Sequence, residues 1–185
     1  MQSLPTITRN LLLINVLALL ANGVFGMFMA SQGKDLNSYL GLYYIGSPYF
    51  QIYQLVTYMF MHGGWVHLIF NMFALWMFGG IIERVWGPKK FLFYYLACGV
   101  GAGLIQEVVT VIHSSILQSG LSPEAIEMVK SEGITLLQNN TNFGISEMAD
   151  LNLLLHRCTV GASGAIFGIL LAFGMLFPNE RLFII

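Results

Sequence analysis

Long apolar windows constrain this fold more than any other feature of the sequence. A helix crosses a bilayer with about 20 predominantly apolar residues, and four windows of that kind occur along the chain. Only 9% of the residues are charged, whereas a soluble globular domain carries about 25%. We therefore predict an all-α fold, a polytopic bundle of membrane helices in one domain over residues 1–185. The predicted spans cover residues 11–30, 64–82, 91–112 and 158–177, with outer connections at residues 31–63 and 113–157.

Both ends of the chain carry features that bear on the number of helices. A fifth apolar run at residues 182–185 resembles the first turn of another helix, and we expect the chain to be truncated there. At the other end, Arg9 precedes the first window, as a basic residue does in a secretory signal peptide. The apolar run is too long for a signal peptide and lacks a clear A-x-A cleavage site, which favours a retained helix.

Basic residues predict the orientation in the membrane. The short connection 83–90 contains Arg84, Lys89 and Lys90, and cytoplasmic connections are enriched in such residues. The Gly87-Pro88 pair breaks the helix at this point. We therefore predict an integral, multi-pass membrane protein whose N-terminus is cytoplasmic.

Charge and cysteine content argue against several function classes. The net charge of -1 leaves no basic patch to neutralise phosphates, so a nucleic-acid partner is not expected. Cys98 and Cys158 form no framework, and no CxxC or HExxH motif occurs. We therefore expect no metal site and no cofactor.

The two outer connections have different compositions. Residues 31–63 are rich in tyrosine and phenylalanine, which suits the membrane interface. In residues 113–157, Ser122 followed by Pro123 predicts a helix start. Leu121, Ile126 and Val129 would line one face of that helix, which favours a short helix lying at the membrane interface. A second helix is predicted to start at Ser146.

Ser163 lies between Gly161 and Gly164 in the last apolar window. Glycine neighbours leave the serine hydroxyl uncrowded, as a nucleophile requires. The alternative is structural, because serine in a membrane helix often bonds back to a carbonyl one turn earlier. Gly164 and Gly168 also form a GxxxG pair, as do Gly99 and Gly103, and such spacing indicates close helix packing.

His67 and Asn71 are polar residues in the second apolar window, and their four-residue spacing puts them on one helix face. Both are costly in lipid and should face the bundle interior or a water-filled cavity. Two donors aimed at one point would form an oxyanion hole. The alternative is a polar pair that ties neighbouring helices together by hydrogen bonds.

At these residues the chain resembles the rhomboid intramembrane serine proteases. The resemblance rests on His67-x-x-x-Asn71, Gly79-x-x-x-Glu83-x-x-x-Gly87, Gly161-x-Ser163-Gly164 and the spacing of His62 and His67. It implies a six-helix bundle with a water-filled cavity open to the outside, and cleavage in or near a single-span substrate helix. Ser163 would be the nucleophile, and His67, Asn71 and the Ser163 backbone N–H would stabilise the oxyanion. Gly161, Gly164, Phe167 and Glu83 would have structural roles.

The sequence departs from the rhomboid pattern at several positions. The general base of the family is a histidine in its sixth helix, and His62, His67, His113 and His156 all precede Ser163. The family often has Trp-Arg where this chain has Tyr53-Gln54, which bears on how the first outer loop is anchored. Phe167 replaces a tyrosine that often stacks on the base, and the connection 113–157 is longer than in compact members.

Three hypotheses follow from the sequence. The first is an intramembrane serine endopeptidase acting on single-span membrane proteins within the lipid bilayer, inactive or nearly so without its general base. The second is a catalytically inactive rhomboid-like protein that binds client transmembrane helices. The third is a small-solute channel or transporter. The sequence gives it little support, because no chain of ionisable residues crosses the membrane as proton or ion coupling would usually need. The sequence predicts no oligomeric state.

Overall fold

The structure, a computed structural model, describes residues 3–29 and 34–180. Within this part of the chain the structure is helical, and no strand forms beyond one isolated bridge between Leu42 and Thr159. The predicted all-α membrane bundle is confirmed. The helices are α1 (Thr6–Phe28), α2 (Asn37–Leu40), α3 (Gln54–Thr57), α4 (Trp65–Ala74), α5 (Gly80–Trp86), α6 (Pro88–Ser119), α7 (Pro123–Gln138), α8 (Ser146–His156) and α9 (Ser163–Leu176).

Three helical stretches are long and apolar enough to cross a membrane. They are Thr6–Phe28, Trp65–Trp86 and Pro88–Ser119. The second joins α4 to α5 through a π-helical turn at Leu75–Gly79. Large apolar side chains such as Phe28, Phe70 and Phe93 are exposed, while Thr8 and Asn15 are fully buried. This pattern is typical of a bundle that faces lipid outside and keeps polar groups inside, and the chain is an integral membrane protein.

The fourth predicted span differs from the observed helix. Apolar character alone predicted residues 158–177, but α9 covers only Ser163–Leu176. The preceding residues are held outside a helix because Thr159 exchanges two backbone hydrogen bonds with Leu42 (2.7 and 2.9 Å). Ala30, the last residue of the first predicted span, and the run 182–185 lie outside the described residues.

Helices α6 and α9 pack closely through small residues. A Cβ placed on Gly164 would lie 2.5 Å from the Cβ of Ala102, too close for any larger residue at this position. One turn later, a Cβ on Gly168 would overlap the Sγ of Cys98. The short approach aligns α9, and therefore its first residue Ser163, against the middle of α6.

Glu83 joins α5 to the start of α1. Its carboxylate accepts hydrogen bonds from the backbone N–H of Ile7 (2.9 Å) and from the backbone N–H and hydroxyl of Thr8 (2.7 and 2.8 Å). Helix α1 has no side-chain cap of its own, and the first N–H groups of a helix have no intrahelical partner. Glu83 satisfies two of them, and its negative charge suits a helix N-terminus. These contacts build α1 into the bundle.

Replacing Glu83 by alanine is expected to destabilise the bundle. The change leaves buried N–H groups unsatisfied, each costing roughly 1–3 kcal/mol, and we expect the melting temperature in detergent to fall by several degrees. Glu127→Ala, at an exposed position of α7, is the matched control and should change it little. Equal melting temperatures for Glu83→Ala and the wild type would contradict this role.

Helices α7 and α8 form a hairpin that packs against the C-terminal part of α6. The Ser122 hydroxyl accepts a hydrogen bond from the Ala125 N–H (3.2 Å), which confirms the predicted helix start. The prediction that the apolar face of this helix lies at the membrane interface is wrong, however. Val129 is fully buried and clusters with Leu117 of α6 and Leu151 of α8. The apolar face of α7 packs on protein because α8 folds back to cover it.

Candidate active site

The segment before α9 is held against the first outer connection. Thr159 pairs with Leu42, and the N–H of Gly161 donates to the carbonyl of Tyr58 (3.0 Å). The Tyr58 hydroxyl donates to the carbonyl of Gly99 in α6 (2.7 Å). Tyr58 thus links the segment before α9 to α6, and these contacts fix the position of Ser163.

Gly161 is the point where the side chains of His67 and Ser163 meet. A Cβ placed on Gly161 would lie 2.8 Å from both Nε2 and Cε1 of His67, and 3.8 Å from Oγ of Ser163. The φ angle of Gly161 is +130°, which side-chain-bearing residues rarely adopt. Glycine is therefore required at this position for two reasons: other residues rarely adopt this φ angle, and a side chain would clash with the imidazole.

Ser163 is the first residue of α9 rather than an interior residue of a helix. Its side chain is half-buried, and its hydroxyl makes no hydrogen bond with any described residue. The structural alternative, a hydroxyl bonded back to a carbonyl one turn earlier, is therefore not what the structure has. The Ser163 N–H belongs to the first turn, where helix N–H groups lack intrahelical acceptors and where the dipole favours negative charge.

Asn71 follows His67 by one turn of α4 and is buried. Its amide nitrogen donates to the carbonyl of His67 (3.1 Å). That bond lies within one helix, so this contact does not tie two helices together. The amide nitrogen carries a second hydrogen, which remains available on the face that also holds the His67 ring.

His62 packs against His67. The two rings are 5.1 Å apart between centroids and meet edge to face. His62 is 1% exposed, and neither of its ring nitrogens has a hydrogen-bond partner among the described residues. It precedes the span Trp65–Trp86, and burial, followed by the charge of nearby His67, lowers its pKa to about 4. The spacing of His62 and His67 was part of the family resemblance, but it predicted neither this ring contact nor a role for His62.

A stripe of exposed apolar side chains runs down α9 from Ser163. It consists of Phe167, Leu171 and Met175, which are 70%, 62% and 75% exposed. Four-residue spacing puts all three on the face that begins with Ser163. Any helix packed along this face would bring its own side chains beside the Ser163 hydroxyl.

Comparison with known protein families decides which family this site belongs to. Residues 49–185, most of the chain, match the family model of the Rhomboid domain. The chain belongs to the rhomboid family. Its helical bundle and its exposed apolar faces can therefore be interpreted as features of a rhomboid domain.

Three relatives illustrate the extent of similarity. The chain is 35% identical over 97 residues to Rhomboid-like protein 11, chloroplastic, from Arabidopsis thaliana, covering 48% of this chain and 34% of that protein. It is 44% identical over 48 residues to rhomboid protease GluP from Bacillus subtilis, covering 26% and 10%. It is 28% identical over 80 residues to rhomboid protease GlpG from Yersinia pestis, covering 43% and 29%. The matched regions span about a third or less of each relative.

Gln54 anchors the first outer connection of this rhomboid domain. It stands in the pair Tyr53-Gln54, where the family often has Trp-Arg. Its amide nitrogen donates to the carbonyls of Tyr39 and Tyr49 (both 3.1 Å). Its amide oxygen accepts from the N–H groups of Tyr43 and Gln51 (3.3 and 3.0 Å). A single buried amide thus anchors this connection. The sequence marked the position as bearing on that anchoring but did not predict these hydrogen bonds.

Residues 3–29 and 34–180 contain no cluster of side chains that could bind a metal ion. No three His, Cys, Asp or Glu side chains come together there as metal ligands would. The polar groups around Gly161 are instead donors and a hydroxyl, a set suited to acyl transfer.

The buried histidine predicts how stability depends on pH. The folded pKa of His62 lies near 4, below the ordinary value near 6.5. As pH falls from about 6.5 to 4, the unfolded chain binds a proton that the folded chain excludes, so the free energy of unfolding decreases. We expect melting temperatures measured from pH 7.5 to 4.5 to fall less steeply in His62→Gln than in the wild type.

The exposed residue His113 provides the control for this measurement. The variant His113→Gln should keep the pH dependence of the wild type. Burial also lowers the pKa of His156, so part of the slope remains in His62→Gln. Identical slopes for His62→Gln and the wild type would contradict the assignment.

Proposed function

We propose that this rhomboid domain forms the catalytic centre of an intramembrane serine endopeptidase. One observation carries the proposal: the His67 imidazole and the Ser163 hydroxyl converge beside Gly161. A hydroxyl with no hydrogen-bond partner among the described residues, next to N–H donors, has the arrangement that acyl transfer needs.

The proposed reaction assigns a role to each group. Oγ of Ser163 bonds to the carbonyl carbon of the scissile peptide while its proton passes to a general base. The carbonyl oxygen becomes an oxyanion and receives hydrogen bonds from the His67 ring, the Asn71 amide and the Ser163 N–H. The C–N bond then breaks, the amine leaves with the proton, and water hydrolyses the acyl-enzyme to regenerate Ser163.

The general base is not assigned to a histidine of the described structure. His67 acts as a donor in this scheme, and His62 is buried against its ring. The Nδ1 of His156 is hydrogen-bonded to Asn152 in the outer hairpin, and His113 lies on the exposed outer part of α6. We propose that a helix packed along the stripe Phe167–Leu171–Met175 supplies the base, since that face begins at Ser163. The Phe167 ring would then cover the imidazole.

The proposed orientation has a cytoplasmic N-terminus. Arg9 and Arg84 lie at the end of the bundle where α1 begins, because Glu83 holds that end of α1. Lys89 and Lys90 start α6 at the same end. Basic residues are enriched on the cytoplasmic side. Ser163 would then lie toward the outer side, where water can reach the site.

The proposed substrates are single-span membrane proteins cleaved in or near the span. A test uses the complete protein in lipid vesicles with a set of single-span fusion proteins, and cleavage is located by intact mass. We expect a new terminus inside or next to the span of at least one fusion, and no cleavage of the soluble fusion partner alone. Retention of single-span proteins without any cleavage would favour the non-catalytic client-binding function instead.

A further inference from the structure

A cleft of about 620 Å³ lies between the first outer connection and the α7–α8 hairpin. Its walls are rich in aromatic side chains: Tyr39, Tyr43, Tyr49 and Tyr53 line it, together with His156 at the end of α8 and Lys34. Its size falls within the range of about 300–1,000 Å³ that is usual for ligand sites. None of the groups of the proposed catalytic centre lines it, so the cleft is a separate feature of the fold.

His156 presents a hydrogen-bond acceptor to this cleft. Its Nδ1 contacts the backbone carbonyl of Asn152 (3.1 Å) and the Asn152 amide oxygen (2.8 Å). The orientation of the Asn152 amide is fixed, because its nitrogen donates to the carbonyl of Gly133 (3.1 Å) and to the amide oxygen of Asn142 (2.8 Å). Both partners of Nδ1 are acceptors, so Nδ1 carries the proton. The neutral ring then has its lone pair on Nε2.

The imidazole is held neutral and rigid. Burial lowers the pKa of His156, so the lone pair persists at neutral pH. Helix α7 approaches so closely that a Cβ on Gly133 would overlap the Asn152 amide oxygen and lie 3.0 Å from Cε1 of His156. The Tyr49 ring packs edge to face against the imidazole at 6.0 Å between centroids. A fixed acceptor in a cleft selects ligands that carry an N–H or O–H donor.

The charge of the lining favours a ligand with an anionic part. Lys34 is the one charged side chain that lines the cleft among the described residues, and no carboxylate lines it there. Its ammonium sits 5.7 Å from the centre of the Tyr39 ring. Tyrosine rings also attract cations through their faces. The cleft therefore combines one site for an anion with aromatic walls and an acceptor that suit an ammonium group.

The surroundings of the cleft favour a lipid over a soluble ligand. Ile52 lies between the lining residues Gln51 and Tyr53 and is 73% exposed. Val56, one helical turn further on, is also exposed. In a membrane protein, exposed apolar side chains next to interfacial tyrosines lie at the height of lipid headgroups. Acyl chains attached to a bound headgroup would run along this apolar surface.

We propose that the cleft binds the headgroup of a phospholipid carrying a primary ammonium, with its phosphate at Lys34 and an ammonium N–H donated to Nε2 of His156. The tyrosine rings enclose the ammonium. This proposal is independent of the catalytic one, because it concerns different residues.

The test compares two lipids that differ in one feature. Phosphatidylethanolamine has N–H donors on its ammonium, whereas phosphatidylcholine has three methyl groups there and keeps the same charge. We expect the complete protein in detergent, titrated with each lipid and analysed by native mass spectrometry, to retain phosphatidylethanolamine at least fivefold more tightly. Equal retention of the two lipids by the wild type would overturn the proposal.

Variants identify the groups that discriminate. His156→Phe keeps an aromatic ring but removes the acceptor, and it should abolish the difference between the two lipids, whereas His113→Phe should preserve it. Lys34→Ala, at an exposed position, should weaken both lipids equally and serves if His156→Phe does not fold. Preserved discrimination in a folded His156→Phe, or unchanged binding in Lys34→Ala, would contradict the assignment. Displacement by soluble glycerophosphoethanolamine at the same concentration as the lipid would also overturn the lipid proposal in favour of a soluble phosphoester.

Discussion

The Ser163→Ala variant of the complete protein is expected to lose its peptidase activity by about 10³-fold or more, as serine proteases do without their nucleophile. The hydroxyl is the only group of the site proposed to bond to the substrate carbon. It makes no hydrogen bond with a described residue and is half-buried, so its removal should leave the melting temperature almost unchanged. Cleavage of a single-span fusion protein in vesicles, followed over time by gel and intact mass, provides the measurement.

Ser146→Ala is the matched control for this variant. Ser146 is also the first residue of a helix, α8, and is exposed. The Ser146→Ala variant should cleave the same fusion protein at the wild-type rate. A Ser163→Ala protein that retains wild-type cleavage would remove Ser163 from the mechanism, whatever its stability.

The Asn71→Ala variant is expected to lower kcat by about 10²–10³-fold with little change in KM, as expected for the loss of one oxyanion donor. The amide would contact an oxygen that becomes negatively charged only during the reaction, so its contribution grows in the transition state. Among the residues that the structure describes, the amide nitrogen has one hydrogen bond, to the His67 carbonyl within the same helix. The measurement is a full kinetic analysis with a cleavable single-span substrate.

A second asparagine separates this effect from general destabilisation. Asn22 lies in α1, and its amide nitrogen contacts the Asp35 carboxylate (3.4 Å). Asn22→Ala should leave kcat close to that of the wild type. A change in Asn71→Ala confined to melting temperature, with kcat intact, would support the interpretation of Asn71 as a structural polar residue.

Hydropathy predicted the all-α class because lipid imposes the same requirement on every spanning segment. It did not predict where α9 begins, since residues 158–162 contain no charged residue and continue the apolar window. The start is decided by Thr159 pairing with Leu42 and by Gly161 bonding to Tyr58, contacts between residues far apart in sequence. The apolar face of α7 was misassigned for a related reason, because a sequence does not show whether lipid or α8 covers it.

The predicted site residues were those whose residue type and spacing are unusual in an apolar segment. Ser163, His67 and Asn71 are polar groups that hydrocarbon disfavours, so their presence needed an explanation. Gln54 was noted only as part of a departure from the family pattern, and His62 only for its spacing to His67, because both lie in an outer connection where polar residues are ordinary. Their roles depend on burial, which arises only when the outer connection folds over the ends of the helices. The lone pair of His156 likewise depends on the orientation of the Asn152 amide.

The account rests on Ser163 acting as a nucleophile, and a serine-directed fluorophosphonate probe tests this directly. The complete protein would be labelled in its native membrane, digested and analysed by mass spectrometry to locate the modified residue. We predict that the probe is attached to Ser163 and that Ser163→Ala is not labelled. A well-folded complete protein with no probe on Ser163, or with label on another serine, would contradict the central claim.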